Sequence, residues 1–411
     1  MNIKGLKTLF TFDGYCLTDV AFSSDVVQVH LAVDKRRKAV CPHCGAVGCI
    51  EGREVRQARD MAIGLAKLVF INYPAQKIRC NSCGKRSWGT PAEIDSHRGA
   101  TTRFMCQAAF LMCFMSVRKA GDALGLSDTR LRRWDKAVLK SHLGAVNKDD
   151  LEVLLVDEKS VGRGHHYVTA VLNGKTGDLL FCHEGKRKST LKLFFDSLTL
   201  EQKSTIQVVC MDRGGAYHEC VKEELPDADI AFDKFHLVSN FNDVVDSLRR
   251  QEWNRFREEK DKGGEAVLKG QRYNLFRRPE KNTPEQQARL EELLKANETL
   301  SKAYILLDDF RDTLSQRYIS GAKLALRTWV ETAMDSGVDL IEKFARKMAS
   351  AEAEIINAVR YKVSNGPLEG FNNLISRLIH RANGYTDMEY LALKCRQAAL
   401  PDELKVPLPQ K

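Results

Sequence analysis

The alternation of apolar and polar residues predicts a sheet-forming region between residues 151 and 235. The stretch "LEVLLVDEKSV" is an apolar run ending in acids, "HHYVTAVLNGKTGDLLFCHEG" has the glycine-containing turn of a hairpin, and "TLKLFFDSL" has amphipathic helical spacing. Two more apolar runs, "IQVVCMDRGGAY" and "DADIAFDKFHLV", each lead into an acid. The predicted order of elements is β-β-β-α-β-α-β.

The flanking regions have different patterns. Residues 15–33 carry β-rich segments around a polar turn, and the chain from about residue 101 has the pattern of three short helices. Residues 237 to about 360 are mostly helical, with alternating charges, long apolar stripes, and breaks expected at Gly263-Gly264, Pro279 and Pro284. Such stripes usually form helix-packing faces, so we expect packed helices there and no ligand site.

The segment from Val117 to Trp134 has the spacing of a helix-turn-helix motif. Small residues in the first helix precede Gly125 at the corner, and Ser127 or Asp128 is the expected N-cap of the second helix. The small residues are Ala120 and Ala123, and the second helix carries Arg130, Arg132 and Arg133. We expect this helix to enter a major groove of DNA; the alternative is an ordinary corner between two helices.

Composition and net charge indicate which class of molecule the chain binds. The chain has 411 residues, 43% of them apolar, which is enough for several folded domains. Its 64 Lys and Arg exceed its 54 Asp and Glu, for a net charge of +10, which favours nucleic acid as partner over an anionic membrane surface. The first residues lack the apolar core of a signal peptide, and no stretch has the length of a membrane span. A soluble, cytoplasmic protein without a membrane partner is therefore expected.

Two cysteine pairs predict a structural zinc site. "CPHCG" and "CNSCG" are tight knuckles in which two thiolates reach one ion, and together they supply four ligands, Cys41, Cys44, Cys80 and Cys83. The loop between the pairs is longer than usual, and redox dithiols or free cysteines are the alternatives. Cys49 and His43 are nearby bystanders. Basic residues around the knuckles, including Lys85 and Arg86, suit a DNA-backbone contact, although such runs are often only a solvated face.

Acids at predicted strand ends indicate a second metal site. Asp157 is expected to close the first strand and Asp212 the fourth, and in the ribonuclease-H-like order these strands are neighbours. Two adjacent carboxylates repel each other unless a cation such as Mg²⁺ lies between them. Glu369, in "SNGPLEGFNN" at the start of the final helix, is a candidate third ligand. Two such ions can activate a nucleophile and stabilise the leaving oxygen of a phosphodiester.

The sequence also leaves alternatives to this metal site. Strand-end acids are common, and Glu158 and Asp233 are alternative ligands, although Glu158 should point to the opposite face of the strand. By itself Glu369 has the position of an ordinary first-turn helix acid that interacts with the helix dipole.

The whole pattern resembles the DDE transposases of bacterial insertion sequences, in the family named after insertion sequence L3. "CPHCG", "CNSCG", "VDEKSVGRGHHYVTAVL", "VVCMDRGGAY", "FDKFHLV" and "SNGPLEGFNN…RANGY" occur in that family's order. The resemblance implies that Asp157, Asp212 and Glu369 are the catalytic acids and that the four cysteines bind zinc. It also implies a D-x-x-H element at Asp233 and His236, for which a buried structural pair is the alternative.

The closing helix departs from the family pattern. After the two asparagines it keeps Arg377, His380 and Arg381, but Ser376 and Ile379 stand at positions that are often basic. Contacts with the DNA backbone are therefore expected to be weaker here or to come from elsewhere. Asn372, Arg377 and Arg381 are the candidate DNA-contacting residues of this helix.

The prediction is a multidomain α+β protein. It comprises an N-terminal β segment and zinc ribbon (1–95), a helix-turn-helix domain (96–148), and a ribonuclease-H-like catalytic domain (149–236 and 362–411) interrupted by a helical insertion (237–361). We expect it to bind the terminal inverted repeats of an insertion sequence as a dimer or larger oligomer, and to cut and join double-stranded DNA, including a target, with Mg²⁺ or Mn²⁺. A nuclease or junction resolvase without strand joining, and a non-catalytic regulator derived from a transposase, are the alternatives.

Overall fold

The computed structural model describes residues 7–64, 66–162, 164, 166–401 and 404–405. The chain forms two compact units. One runs to Ala145 and includes the residues from Arg377 onward, and the other spans Val146 to Ser376.

A seven-stranded sheet occupies the N-terminal part of the first unit. Its strands run in the order β1-β2-β4-β3-β7-β6, and β5 pairs with β4. Their bounds are β1 Tyr15–Phe22, β2 Val26–Val33, β3 Gly48–Asp60, β4 Leu68–Cys80, β5 Arg86–Gly89, β6 Ile94–Asp95 and β7 Ala100–Thr101. The antiparallel pairing of β1 with β2 confirms the two β segments predicted around the polar turn.

Strands β3 and β4 form a long antiparallel hairpin. Alternate residues of β4, among them Val69, Ile71 and Tyr73, are buried in the core of this sheet, as period-two alternation predicts. The register pairs Gly48 with Cys80 at one end and Asp60 with Val69 at the other. The loop between the two cysteine pairs is long because it contains this entire hairpin.

Three helices follow the sheet, as the pattern predicted: α1 Thr102–Phe114, α2 Val117–Leu124 and α3 Asp128–His142. Ser127 caps α3, since its hydroxyl accepts from the Arg130 amide. Gly125 ends α2 with a φ of 63°, in the left-handed region that favours glycine. The small residue that permits close packing at this corner is Gly121, where a Cβ would lie 2.6 Å from the Leu126 carbonyl oxygen. Of the two small residues noted in the sequence pattern, Ala120 is buried and Ala123 is exposed.

The C-terminal helix α16, Met388–Ala399, packs on α3 within the same unit. A buried polar network joins them: Lys394 Nζ lies 3.1 Å from Asp135 Oδ2, and the Tyr390 hydroxyl donates to the same oxygen over 2.5 Å. Gln397 Oε1 accepts a further hydrogen bond from Lys394, at 2.6 Å. Because buried charges require such partners, this network fixes how α16 docks on α3.

A five-stranded sheet forms the base of the second unit. The strands are β8 Val153–Ser160, β9 Tyr167–Asn173, β10 Leu179–Glu184, β11 Val208–Met211 and β12 Asp229–Phe232. Their spatial order is β10-β9-β8-β11-β12, with β8, β11 and β12 parallel and the other pairs antiparallel. Helices α4 (Lys188–Asp196) and α5 (Leu200–Ser204) precede β11, and α6 (Gly215–Glu224) precedes β12. The predicted β-β-β-α-β-α-β order is confirmed, and so is the adjacency of its first and fourth strands.

One predicted strand boundary is wrong. Asp157 does not close β8, because the strand continues through Ser160. The additional residues pair with the antiparallel neighbour β9, where Lys159 faces Val168 and Ser160 faces Tyr167. Since this extension is only partly buried, it lacks the apolar signal that marked the first half of the strand.

Helices dominate the rest of the second unit, as the sequence predicted. They are α7 Lys234–Glu258, α8 Lys262–Leu268, α9 Arg272–Phe276, α10 Pro284–Ala296, α11 Glu298–Leu314, α12 Ile319–Met334, α13 Asp339–Ala349, α14 Glu352–Arg360 and α15 Gly366–Ala382, which continues into the first unit. Four aromatic rings pack together between these helices: Phe241, Phe310, Trp329 and Phe344. The apolar stripes are therefore core, as predicted.

The expected break at Gly263-Gly264 is also wrong, because both glycines lie inside α8. The chain turns before them, at Lys260, which has a φ of 57°, and Asp261 then caps the helix by accepting from the Gly264 amide. Gly264 is needed for close packing: a Cβ there would lie 2.5 Å from the Phe256 ring. The other two expected breaks are found, since Pro279 begins a short 3-10 helix and Pro284 begins α10.

Helix α14 covers the edge strand β12. Asn357 Nδ2 donates to the Ile230 carbonyl over 3.0 Å, and Arg360 and Tyr361 both contact the Asp229 carboxylate. The strand edge is thus protected from pairing with another chain. In the part of the chain that the structure describes, no helix is long and apolar enough to cross a membrane.

Candidate functional site

The parallel register of β8 and β11 brings two acids together. The last paired residues are Val156 and Met211, so Asp157 and Asp212 stand side by side directly after them. Their carboxylates and the His236 ring each offer a ligand atom, and these three atoms lie within 4.8 Å of one another. The predicted proximity of the two carboxylates is therefore confirmed.

His236 lies between two carboxylates at the start of α7. Asp233 caps this helix by accepting from the His236 amide at 3.3 Å, and its Oδ2 also lies 3.0 Å from His236 Nδ1. The same ring nitrogen contacts Asp212 Oδ1. Asp233 Oδ1 accepts a hydrogen bond from the backbone N–H of Asn365 over 3.1 Å, so this buried acid joins α7 to the turn before α15.

The acids give this site a strongly negative character. Burial raises the pKa of Asp157, and the neighbouring charge of Asp212 raises it further. The carboxylates of Asp212 and Asp233 raise the pKa of His236 to about 10, so the ring is protonated at neutral pH. Burial acts to raise the pKa of Asp233, but hydrogen bonds from His236 and Asn365 outweigh it, and that pKa is lowered. Beyond the protonated ring of His236, the carboxylates of this cluster therefore favour the binding of a further cation.

Glu369 lines the same cavity as Asp157. The cavity has a volume of about 350 Å³, and its walls include His236, Asn365 and Asn372. Glu369 is exposed in the first turn of α15, as the turn and Pro367 before it predicted. Within the described residues, the close cluster of ligand atoms contains Asp157, Asp212 and His236 and does not include Glu369.

Asn372 hydrogen-bonds to one of the acids. Its Nδ2 donates to Asp157 Oδ2 over 2.6 Å, and Asn372 stands three residues after Glu369, on the same side of α15. The sequence pattern predicted that Asn372 contacts DNA, but in this structure its side-chain amide donates a hydrogen bond to the Asp157 carboxylate. Asn372 thus docks the helix that carries Glu369 onto β8.

The donor set suits a hard divalent cation. Asp212 Oδ1 is buried and forms an ion pair with the protonated His236 ring, and no other partner for it is found among the described residues. The charge of Asp212 also raises the pKa of Asp157, so the two adjacent carboxylates repel each other, and a further cation would offset that repulsion. Carboxylate oxygens are the ligands that Mg²⁺ and Mn²⁺ prefer. The residues present therefore fit such an ion.

The four cysteines of the two knuckles come together in the first unit. Cys41 Sγ lies 3.8 Å from Cys83 Sγ, and Cys44 Sγ lies 3.5 Å from Cys80 Sγ. A tetrahedral zinc site with Zn–S bonds of about 2.3 Å has sulfurs about 3.8 Å apart, so this arrangement fits zinc. Cys49 and His43 are not part of the cluster found among the described residues.

The chemistry of the four sulfurs also favours a cation. The amide of Cys83 lowers the pKa of Cys80 to about 6. For Cys44 the amide of Ala46 acts to lower the pKa, but the sulfurs of Cys80 and Cys83 outweigh it and raise the pKa to about 12. Sulfurs this close cannot all ionise together without a positive ion between them.

The candidate DNA-contacting residues differ in availability. Arg130, Arg132 and Arg133 are all exposed on α3, and a groove of about 740 Å³ along this helix is lined by Arg130 and Arg133 together with Lys136 and Lys140.

The candidate DNA-contacting residues outside α3 differ in how far other groups occupy them. Lys85 and Arg377 are exposed. Arg86 is exposed but pairs with Glu51 over 3.0 Å, and Arg381 donates to the Cys113 carbonyl over 2.7 Å. Among these residues, Arg381 is therefore the least available to a phosphate.

Two further residues of the cavity, Asn365 and Phe235, were not predicted to belong to the site. Asn365 is buried with 5% of its surface exposed, and neither polar atom of its side chain has a hydrogen-bond partner among the described residues. Phe235, between the acid Asp233 and His236, lines the cavity with 63% of its surface exposed. The asparagine before a helix start and the aromatic inside "DKFH" were visible in the sequence, but their burial and exposure were not.

Comparisons with known proteins agree on one family. A family model described as "Transposase", for DDE transposases of the insertion sequence L3 family, matches residues 154–395, more than half of the chain. That span includes the strands and helices that carry Asp157, Asp212, His236 and Glu369.

Relatives match over nearly the whole length. The chain is 27% identical over 404 residues to the transposase for insertion sequence element IS1001 of Bordetella parapertussis. The matched region covers 97% of this chain and 98% of that protein. It is 28% identical over 430 residues to the transposase for insertion sequence element IS1557 of Mycobacterium tuberculosis strain CDC 1551 / Oshkosh, covering 95% and 94%. The corresponding protein of strain H37Rv matches equally.

Proposed function

Because the chain belongs to the insertion sequence L3 family of DDE transposases, we propose that it cuts and joins DNA at the ends of its own insertion sequence by a metal-dependent DDE mechanism. The observation that carries this proposal is the cluster directly after the last paired residues of the parallel strands β8 and β11, in which Asp157, Asp212 and the His236 ring approach one another. Asp157, Asp212 and Glu369 are the proposed catalytic acids.

The proposed mechanism assigns each residue a task. Divalent ions, when bound, would activate a water or 3′-hydroxyl and stabilise the leaving oxygen in an in-line displacement. Asp157 and Asp212 would hold these ions from adjacent strands, and Glu369 would add the third carboxylate from the first turn of α15. Asn372 orients Asp157 by occupying one of its oxygens. Asp233 orients His236, whose ring can donate to a scissile or flanking phosphate.

We assign recognition of the terminal inverted repeats to the first unit. The exposed arginines of α3 form one basic surface, and the residues around the cysteine knuckles form another. Zinc held by Cys41, Cys44, Cys80 and Cys83 would stabilise the end of the β3-β4 hairpin. Because two ends must be processed together, the active complex is expected to contain at least two copies of the chain.

We also propose a division of the chain into domains. The order of the five strands β10-β9-β8-β11-β12 supports a ribonuclease-H-like catalytic domain, with residues 237–361 as a helical insertion and residues 362–411 as its closing segment. From Arg377 onward this closing segment lies in the first compact unit, where α16 packs on α3. Residues 1–95 are assigned as β segment and zinc ribbon, and residues 96–148 as the helix-turn-helix domain.

The experiment is a cleavage and strand-transfer assay on a labelled duplex that carries one end of the element. With Mg²⁺, the chain should cut at the boundary of the terminal repeat and join the released 3′ end to a target plasmid. A matched duplex with a scrambled repeat should not be cut. Cutting of both duplexes without joining would favour a nuclease, and binding without any cutting in Mg²⁺ or Mn²⁺ would favour a non-catalytic regulator.

Removing the Asn372 amide should weaken the site without removing a ligand. Asn372→Ala removes one of the two hydrogen bonds that hold the Asp157 carboxylate, the other being from the Glu158 backbone amide, and the loss of such an outer partner typically costs roughly 10- to 100-fold in metal affinity or activity. We expect a slower cleavage rate and a higher half-saturating Mg²⁺ concentration in single-turnover assays.

The matched control for this variant is Asn373→Ala, which changes the adjacent, exposed residue. It should behave as the unmodified chain. An Asn372→Ala protein with an unchanged Mg²⁺ titration would show that the hydrogen bond to Asp157 has no role in positioning that acid.

A further inference from the structure

Phe235 is an exposed aromatic residue in a cavity otherwise rich in charged and polar groups. It has 63% of its surface exposed, and it lines the cavity together with Asp157, His236 and Glu369. Single exposed apolar residues are common on protein surfaces. This one differs because it borders the cavity that two of the three candidate acids, Asp157 and Glu369, also line.

The backbone of Phe235 is firmly held. It lies in the first turn of α7, a helix of 25 residues whose N-cap, Asp233, is buried and hydrogen-bonded to both His236 and Asn365. The next residue but one, Leu237, is buried in the core. The ring of His236 meets that of Phe235 at 82°, with the centroids 5.9 Å apart. The phenyl ring is thus presented on a rigid element and is only partly covered by its neighbours.

The buried side chain of Asn365 is a second, independent indication that this cavity binds a ligand. Asn365 lines the same cavity with 5% of its surface exposed, and within the described residues neither its Nδ2 nor its Oδ1 has a hydrogen-bond partner. An amide offers both a donor and an acceptor, which is the combination found on the edges of nucleobases. Burial without partners is unfavourable, so this amide indicates a ligand with complementary polar groups.

We propose that the cavity contains a subsite for one unstacked nucleobase next to the scissile phosphate, with Phe235 stacking on the base and Asn365 hydrogen-bonding to its edge. This inference rests on the proposed function, since it requires DNA at the acids. An aromatic platform accepts any base, because every base has a π face. Extruding that base would open the duplex end and bring the flanking phosphate towards Asp157 and Asp212.

The test compares cleavage rates of Phe235→Ala and the unmodified chain on end duplexes with a normal or an abasic nucleotide on each side of the scissile phosphate. On normal DNA, Phe235→Ala should be slower by roughly 10- to 100-fold. On DNA abasic at the stacked position the two proteins should cleave at similar rates, because the partner of the ring is already absent. Phe235→Trp, which keeps an aromatic face, should retain most activity.

Tyr318→Ala is the matched control. It removes an aromatic side chain that is 78% exposed and not among the residues lining the cavity, and it should leave cleavage unchanged. The subsite is refuted if Phe235→Ala cleaves normal DNA at the unmodified rate, or if its defect is equally large on both abasic duplexes. An unmodified chain that cuts no end duplex in Mg²⁺ or Mn²⁺ refutes the proposed function itself, and the subsite with it.

Discussion

Glu369→Gln should lower strand cleavage by roughly a hundredfold or more while end binding and folding remain normal. The change keeps the size of the side chain and removes one negative charge from the cavity that Asp157 also lines. Stabilising the charge that develops on a transferring phosphoryl group depends on fixed ions and ligands, and the loss of one such contribution typically costs a factor of this size. Cleavage of a labelled end duplex and a mobility-shift assay on the same variant measure the two properties separately.

Two further variants place this result in context. Asp157→Asn should show the same separation of normal binding from lost cleavage, because Asp157 belongs to the three-residue cluster. Glu285→Gln is the matched control: Glu285 is also an exposed first-turn helix acid, but it lies at the start of α10. If Glu369→Gln cleaves normally, Glu369 is only a helix-start acid, contributing roughly 0.3 to 1 kcal/mol to stability.

Cys80→Ser should remove zinc and loosen the end of the β3-β4 hairpin. Cys41 and Cys80 are both buried with 1% exposed surface, whereas the apolar core of this sheet is built from residues nearer its other end, such as Val69 and Ile71. Metal binding by these four sulfurs is expected to supply much of the local folding free energy at this end of the hairpin. We expect the zinc content to fall from one ion per chain to none, and end binding to weaken by roughly tenfold or more as basic contacts are lost.

The measurements are elemental analysis, hydrogen exchange of β3 and β4, and a mobility shift on end DNA. The matched control is Cys49→Ser, which changes an exposed cysteine in β3 outside the four-sulfur cluster and should retain the zinc. Full zinc occupancy and unchanged hydrogen exchange in Cys80→Ser would contradict the site. An unchanged zinc content after treatment with a strong chelator would not, since a buried site can release its ion slowly.

Structural features that depend only on neighbouring residues were predicted correctly from the sequence. Ser127 was expected as a helix cap and is one, because capping depends only on its own hydroxyl and an amide three residues on. The β9-β10 hairpin, marked by the turn before Leu179, was likewise predicted from neighbouring residues. The misplaced features were the end of β8 and the expected break at Gly263-Gly264. In both, contact with a neighbouring element decides the local structure: β9 extends the strand past Asp157, and the ring of Phe256 requires a glycine inside a helix.

By itself, the sequence determined which residues can do chemistry: the two cysteine knuckles, the acids that follow apolar runs, and the acid behind the turn at Pro367. These are properties of residue type and short spacing. Only the tertiary structure decided that Asp212 stands beside Asp157, that Asn372 binds Asp157, and that Phe235 is exposed in the cavity lined by Asp157 and Asn372. Each depends on strand register or helix docking between segments far apart in the chain, and these are set by the packing of the whole core.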